Sequence, residues 1–440
     1  MVQYSVNRRK NFHGGNSDIY EVFMVADKFG NIINDFGSTS SSYSEAGNLS
    51  GQLDAFGRIR QSTPNTLFDS KNVSIINNKF ADKTVGSGSV VGDYNESTVY
   101  LSTGTASGNR VIRQSKRNFS YQPGKSLLIL NTFAFSLPQA GLLQRVGYFN
   151  ENDGIFLEQS TEGLPVLVLR SSTTGTTQDQ RVLSPDWNCD KLDGSGKSGI
   201  VLDLSMTNIF FIDIEWLGVG SVRCGFVING QYVVTHIFHN ANINDKVYMR
   251  SPDLPIRYEI ENTQELAVNA NLKQICSTVI SEGGYDARAV ENVFGTSLSG
   301  NNTQTANTFV NLVTIKMRNN FAGQEGVVVP SGVDILNIAN ADFEWGLFLN
   351  ATPDSAFSYT NATQRVEYST SQVNLSNIGT RVAGGYMGGK TAPFSLGNGG
   401  FNWDYQLGRD VDLNSDTLTL AVRTSSTSKA AAGLMKWFEL

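Results

Sequence analysis

Cysteine, histidine and charge are all scarce in this chain. Three cysteines in 440 residues, Cys189, Cys224 and Cys276, are an odd and widely spaced set. They make neither a disulfide framework nor a C-x-x-C zinc pattern, so they read as free thiols. The three histidines, His13, His236 and His239, are too few for a transition-metal centre. His236 and His239 lie three apart on a strand and so point to opposite faces. Charged residues are 17% of the chain, 34 basic against 40 acidic, with a formal net charge of -6. That mixture lacks the basic stripe of a nucleic-acid-binding protein and describes a soluble surface. No stretch approaches the roughly 18 apolar residues of a membrane helix. No apolar run follows the basic residues of MVQYSVNRRKNFHGGNSDIY, so neither a signal peptide nor membrane insertion is expected.

Glycine is plentiful, at 43 residues, alongside Ser, Thr and Asn. A chain poor in charge and rich in these residues is an unusual helical enzyme, because helices draw on charged residues and alanine. Thr, Val, Ile and aromatic residues favour strands. The expectation is an all-β protein: an antiparallel β-sandwich or jelly-roll, lectin-like body, with a second β domain and an extended N-terminal arm.

Residues 1–63 read as that arm. YEVFMVADKFGNIIND forms a short hairpin, and GSTSSSYSEAGNLSG is a Ser/Gly-rich linker. Residues 64–285 alternate short apolar runs with turn signals, roughly ten strands at sandwich spacing. Asn152-Asp153-Gly154 and Asn229-Gly230 are hairpin turns. Thr177 to Asp193 reads as an irregular polar loop carrying Trp187. Residues 286–304 read as a linker and 305–440 as the second β domain. That domain contains a Gly/aromatic loop, Gly384 to Asp410, and a last strand in AAAGLMKWFEL that ends packed. No fixed-period repeat is present, which excludes solenoids and propellers.

FIDIEW carries two acids, Asp213 and Glu215, two apart among large apolar residues. In a strand Phe211, Asp213 and Glu215 share one face, and Phe210, Ile212, Ile214 and Trp216 share the other. Carboxylates at that spacing are about 6–7 Å apart, the range of paired glycosidase acids. The stretch resembles the E-[IL]-D-x-E signature of laminarinase-like β-sandwich glycosidases. Asp213 and Glu215 fall on that family's second and third acids, while Phe211 stands where its nucleophile would be. Without a nucleophile a retaining displacement has no group to carry the glycosyl intermediate. The simplest reading is an outward strand face. Asp213 and Glu215 stay as possible sugar or interface contacts.

Other motifs are weaker. GSGKSG, Gly194 to Gly199, lacks the first Walker glycine, since Lys191 stands there, and a strand follows it rather than a helix. No G-x-S-x-G elbow marks a serine nucleophile. A calcium site using loop acids such as Asp153 or Asp410 stays open. Tyr386, Phe394, Phe401, Trp403 and Tyr405 sit in a Gly-rich loop, where aromatics stack on sugars or fill a neighbour's pocket. Of these, Tyr386, Trp403 and Tyr405 are the candidate contacts. No catalytic residue, metal ligand or cofactor is expected.

Several segments together carry a broader resemblance. LDAFGRIRQSTPNTLFDS, TGTASGNRVIRQSKRNFSYQPGKS, RVGYFNENDGIFLE, VYMRSPDLPIRYEIEN, ICSTVISEGG and the long run from DKLDGSGKSG to HIFHNAN resemble virion structural proteins of tailed bacteriophages, marine and cyanobacterial ones above all. The resemblance spans about residues 53–284 and is specific in order and spacing. It implies a non-enzymatic virion component with a β-sandwich body, assembled in the host cytoplasm. The arm would anchor it through Tyr20, Val22, Phe23 and Met24, and the β domains would project as capsid decoration, fibre or baseplate/tail element. The partners implied are other virion proteins of the capsid, tail or baseplate, further copies in a homo-oligomer, and a host-surface glycan. Two rival functions stand beside it: a carbohydrate-binding receptor-recognition protein, and a glycan hydrolase.

Overall fold

The computed structural model describes residues 62–73, 79–285, 289–318, 326–388, 391–395 and 405–440, with 391–395 as backbone. Tyr20, Val22, Phe23, Met24 and Trp403 lie outside the described residues. Thr63–Leu440 is one compact unit. Among the described residues its regular structure is almost wholly strand, with a short 3-10 turn at Ser184–Asp186, so the chain is all-β. Among the described residues no helix is long and apolar enough to cross a membrane.

The first sandwich uses β1 (Asn65–Lys71), β2 (Phe80–Val85), β3 (Ser89–Asp93), β4 (Thr98–Thr103), β5 (Arg110–Ser115), β6 (Leu127–Ala134), β7 (Leu142–Phe149), β8 (Gly154–Gln159), β9 (Pro165–Ser171), β10 (Gln178–Leu183), β11 (Asn208–Ile214), β12 (Val222–Ile228), β13 (Gln231–Phe238), β14 (Ile256–Asn262) and β15 (Ala270–Ser281). An eight-stranded sheet runs β13-β12-β11-β6-β15-β4-β3, with β1 beside β4 on the same edge of β15. A seven-stranded sheet runs β10-β9-β8-β7-β14-β5-β2. Their inner faces interdigitate, and the period-2 pattern decides which residues meet. Ile129, Phe133, Phe210, Ile212 and Val279 come from one sheet, and Val146, Tyr148, Ile155, Leu157, Tyr258 and Ile260 from the other. Tyr148 brings a hydroxyl into this core. It accepts from the Leu254 N–H at 3.0 Å and lies 2.8 Å from the Pro252 carbonyl, so the polar tip is satisfied.

The two hairpin turns form where the sequence places them. Asn229 and Gly230 both take positive φ, 53° and 75°, the geometry a two-residue turn needs between β12 and β13. Between β7 and β8 the Asn150 side chain accepts from the N–H groups of Asn152 and Asp153. The stretch Thr177 to Asp193 differs from its reading as a loop. It contains β10, an edge strand paired along β9, and its Trp187 is buried.

The outer face of the seven-stranded sheet is held by charge. Along β14, Tyr258 and Ile260 point to the core, so Arg257, Glu259 and Glu261 point out. Arg145 and Glu158 stand in register on β7 and β8. The Glu259 carboxylate accepts from Arg257 Nε at 2.8 Å, Arg145 Nη1 at 2.6 Å and Arg110 Nε at 3.1 Å. Arg145 also grips Glu158 at 2.7 Å and Glu261 at 3.0 Å, and Arg181 closes on Glu158. Burial alone would raise the Glu259 carboxyl, but the guanidinium groups of Arg257, Arg145 and Arg110 outweigh it and hold it at about 2. Beneath them lies an apolar patch of Phe149, Phe156, Val166 and Val168. The Arg257 and Arg170 guanidiniums cap its rings at 5.3 and 5.0 Å.

The remaining strands are β16 (Glu291–Gly295), β17 (Asn301–Asn302), β18 (Val310–Met317), β19 (Val328–Asn337), β20 (Phe343–Leu349), β21 (Thr352–Pro353), β22 (Thr360–Asn361), β23 (Val366–Ser369), β24 (Leu375–Asn377), β25 (Thr380–Met387), β26 (Thr391–Ser395), β27 (Thr417–Arg423) and β28 (Ala430–Glu439). They build a five-stranded sheet, β16-β28-β19-β26 with β17 also on β28, and a six-stranded sheet, β22-β23-β18-β27-β20-β25. β21 and β24 make a small pair of their own. The stretch 286–304, expected as a linker, supplies β16 and β17 to this sheet. The second core gathers Leu312, Ile315, Val333, Leu347, Leu420, Met435 and Trp437. The two sandwiches also touch. Arg409 donates its N–H to the Lys116 carbonyl at 2.7 Å, and Gln406 Nε2 reaches the Asn118 carbonyl at 2.9 Å.

Candidate functional site

Two surfaces carry the residues singled out in the sequence. The first is the outer face of the eight-stranded sheet. β11 points Phe210, Ile212 and Ile214 into the core, which leaves Phe211 and Asp213 outward. The strand ends at Ile214, so Glu215 is not a strand residue as expected. It is exposed and begins the tight turn to β12, where Leu217 and Gly218 take positive φ. Its N–H donates to the Ser221 carbonyl at 3.3 Å, and Gly220 donates back to the Trp216 carbonyl at 2.7 Å.

Asp213 is paired across the ladder with Arg223 of β12, and the two side chains form an ion pair. Phe211 is only 3% exposed. It lies across Gly225, where a Cβ would come within 2.8 Å of its ring, and edges against Tyr232 of β13 at 5.1 Å between centroids. Leu130 and Leu128 of β6 flank Phe211 and Asp213 in register, each half-buried. This face is therefore not a wet polar one. Around Asp213 it is a mostly apolar surface crossed by the Asp213–Arg223 ion pair. No second carboxylate stands beside it on β11.

The second surface lies on the six-stranded sheet. Cross-strand register puts Tyr386 of β25 opposite Glu344 of β20, and Glu344 opposite Arg423 of β27. Phe343, Trp345 and Leu347 belong to the second core, so this row faces outward. The Glu344 carboxylate accepts from Arg423 Nε at 2.7 Å and from Arg381 Nη1 at 2.6 Å. Desolvation opposes its charge, but the two guanidiniums hold the carboxyl below its usual range. Arg381 also donates to the Trp345 carbonyl at 2.8 Å. A pocket of about 550 Å³ opens here, with Asn307, Asp342, Glu344, Tyr386, Arg423 and Thr424 in its lining. Tyr405 is not part of it, since it is half-buried and packs on the second core.

The loop acids serve their own turns. Asp153 is fully buried and accepts from the N–H and hydroxyl of Ser172 at 3.0 and 2.8 Å and from the Arg250 N–H at 3.0 Å. Asp410 accepts from the N–H and Nδ2 of Asn414 at 2.8 and 2.9 Å. Among the described residues no group of three or more His, Cys, Asp or Glu could hold a metal ion. The amides around GSGKSG bind a carboxylate of the chain itself. Asp190 accepts from Leu192 N–H at 3.0 Å and Ser198 N–H at 2.8 Å, and fills the space a phosphate would need. His236 is packed edge-on against Phe238, and burial together with His239 pushes it down to about 4, so it is neutral at physiological pH. The cysteines are free thiols, and burial pushes the Cys224 thiol up, away from reactivity.

Sequence reasoning missed Glu344, Arg381 and Arg423. Each is a single charge in an unremarkable strand, and only register joins them to Tyr386. The Arg-x-Glu-x-Glu alternation of IRYEIEN was a visible signal for the charged outer face of the other sandwich.

No family model matches the chain, and no curated protein matches it. Solved structures do. A Bacillus licheniformis β-glucanase aligns at 10% identity over 50% of this chain and 99% of its own, with a TM-score of 0.31. The CBM2 module of an evolved Dit from Lactobacillus casei BL23 phage J-1 aligns at 8% identity over 52% of this chain and 100% of its own, with a TM-score of 0.35. A GH16 protein from a Bacteroides ovatus mixed-linkage glucan PUL aligns at 12% identity over 48% and 99%, with a TM-score of 0.33.

Proposed function

We propose that the chain is a non-enzymatic structural component of a tailed-phage virion, held by residues 1–63 and projecting its β-sandwiches as decoration, fibre or baseplate/tail element. Its partners are other virion proteins and further copies of itself, and its place is the particle, after assembly in the host cytoplasm. The particle role is supported by the ordered run of segments between residues 53 and 284 that resembles phage virion proteins. The non-enzymatic part rests on one observation. Asp213 is committed to Arg223, and an apolar Phe211 occupies the position a nucleophile would need.

Two measurements test this. Immunogold electron microscopy of purified particles, with antibody raised against residues 66–284, should label one defined place on capsid or tail. No label, together with absence from the particle's mass-spectrometric inventory, would end the structural reading. For the hydrolase rival, the purified chain should release no reducing ends from laminarin or mixed-linkage glucan, and Glu215→Gln should behave identically. Cleavage by the wild type that disappears in Glu215→Gln would replace the proposal with an enzyme.

A further inference from the structure

A particle scaffold has no need of the surface around Tyr386. That ring is 86% exposed, more than any other exposed large apolar side chain among the described residues. A single exposed aromatic is ordinary. This one stands at a pocket of about 550 Å³, within the size range of ligand sites, whose lining mixes Phe343 and Met387 with the polar side chains of Asn307, Asp342, Glu344, Arg423 and Thr424. Gly384, two residues before it on β25, keeps the platform flat. A Cβ there would come within 2.2 Å of Arg381 Nη2, so the Arg381 guanidinium lies over the glycine. Arg381, Glu344 and Arg423 then form one braced group, because the carboxylate binds both guanidiniums. A guanidinium has five N–H donors, and the bonds to Glu344, the Trp345 carbonyl and the Asn307 carbonyl leave Arg423 and Arg381 with donors to spare.

The geometry points to a site for a neutral saccharide, with one pyranose face stacked on Tyr386 and its hydroxyls bonded to Glu344, Arg423, Asp342 and Asn307. A sugar ring has an apolar C–H face and a rim of hydroxyls, and this site has an open aromatic ring beside a rim of fixed donors and acceptors. Charge selects the neutral class. The lining carries the carboxylates of Asp342 and Glu344 against the guanidinium of Arg423, with Arg381 bound to Glu344 behind it, so an anionic sugar would meet no surplus of positive charge. A purely apolar ligand would strand the polar rim without partners. The inference goes beyond the structural role and does not depend on where the chain sits in a particle.

The test uses the full chain and saturation-transfer NMR with isothermal titration. The probes are cellotetraose, laminaritetraose, maltotetraose and chitotetraose as neutral sugars and tetragalacturonate as the anionic one. At least one neutral probe should bind. Tyr386→Ala should weaken it about tenfold, the scale of a lost aromatic contact, while Tyr386→Phe keeps it within about twofold because the ring remains. Tyr386 is on the surface, so neither variant should change the melting temperature. The inference falls if no neutral probe binds at millimolar concentration, if Tyr386→Ala binds as well as wild type, or if tetragalacturonate binds in preference. None of these results bears on particle labelling, so failure here leaves the structural reading standing.

Discussion

Glu259→Ala is expected to destabilise the protein by about 3–5 kcal/mol, the usual cost of removing one partner from a buried charge network. Glu259 is 1% exposed and is the shared acceptor of Arg257, Arg145 and Arg110. Without it Arg257, equally buried, keeps Glu151 at 2.7 Å, a long 3.4 Å contact to Gln114 and the Phe149 ring. Arg145 keeps Glu158 and Glu261, so the damage should concentrate at β14 and β5. Urea unfolding followed by tryptophan fluorescence measures the loss. A change below about 0.5 kcal/mol, the range of ordinary surface substitutions, would show that the network is ornamental.

The same carboxylate sets an acid limit. Its folded-state pKa, about 2, lies below the ordinary 4.5. A depressed carboxyl contributes stability that is present above the unfolded value, and that contribution is lost as pH falls through the folded one. Wild-type stability should therefore decline between about pH 4.5 and 2. Glu259→Gln keeps the side-chain shape but has no proton to gain. It should start less stable at pH 7 and lose less over that window. Parallel declines for the two proteins would place the acid sensitivity elsewhere.

Most of the first sandwich was legible because its strands alternate over long runs. LLILNTFA and IFFIDI each commit one face to the core, and Asn229-Gly230 sets the register of β12 and β13 from the turn up to the shift at Cys224/Gly225. β10 was not legible, for a physical reason. Gln178 to Leu183 is an edge strand whose residues are all exposed or half-buried, so QDQRVL carries no apolar period for a reader to find. β16 and β17 were hidden in the same way, being short and defined by pairing with β28 far along the chain. The site divides along the same line. The outward direction of Asp213 follows from period 2, but its ion pair with Arg223 depends on cross-strand register. Tyr386 stood out as an aromatic among glycines, yet its neighbours Glu344 and Arg423 arrive from two other strands, and no local pattern announces them.

The last strand offers the sharpest test of the second core. AAAGLMKWFEL reads as a closing strand that ends packed, and β28 lies inside its sheet, between β19 on one side and β16 and β17 on the other. Trp437 is fully buried there. Its ring stacks on Phe294 at 5.9 Å, and its Nε1–H donates to Glu439 Oε1 at 2.9 Å. Trp437→Ala should cost about 3–5 kcal/mol, because it removes a fully buried indole from that core and leaves a cavity that rigid sheets close poorly. Trp437→Phe keeps most of the volume and should cost less. Amide hydrogen exchange separates the effect by region. Exchange should quicken in β18, β19, β27 and β28, whose side chains line the Trp437 core, before it quickens in β6, β7, β11 and β14, which line the other. A uniform rise across all eight strands would mean that the two cores open as one cooperative unit, coupled through Arg409, Gln406 and the backbone of β5's flanking turn. A loss below about 1 kcal/mol would mean that the ring is replaceable and that the backbone ladder, rather than packing, holds β28 in place.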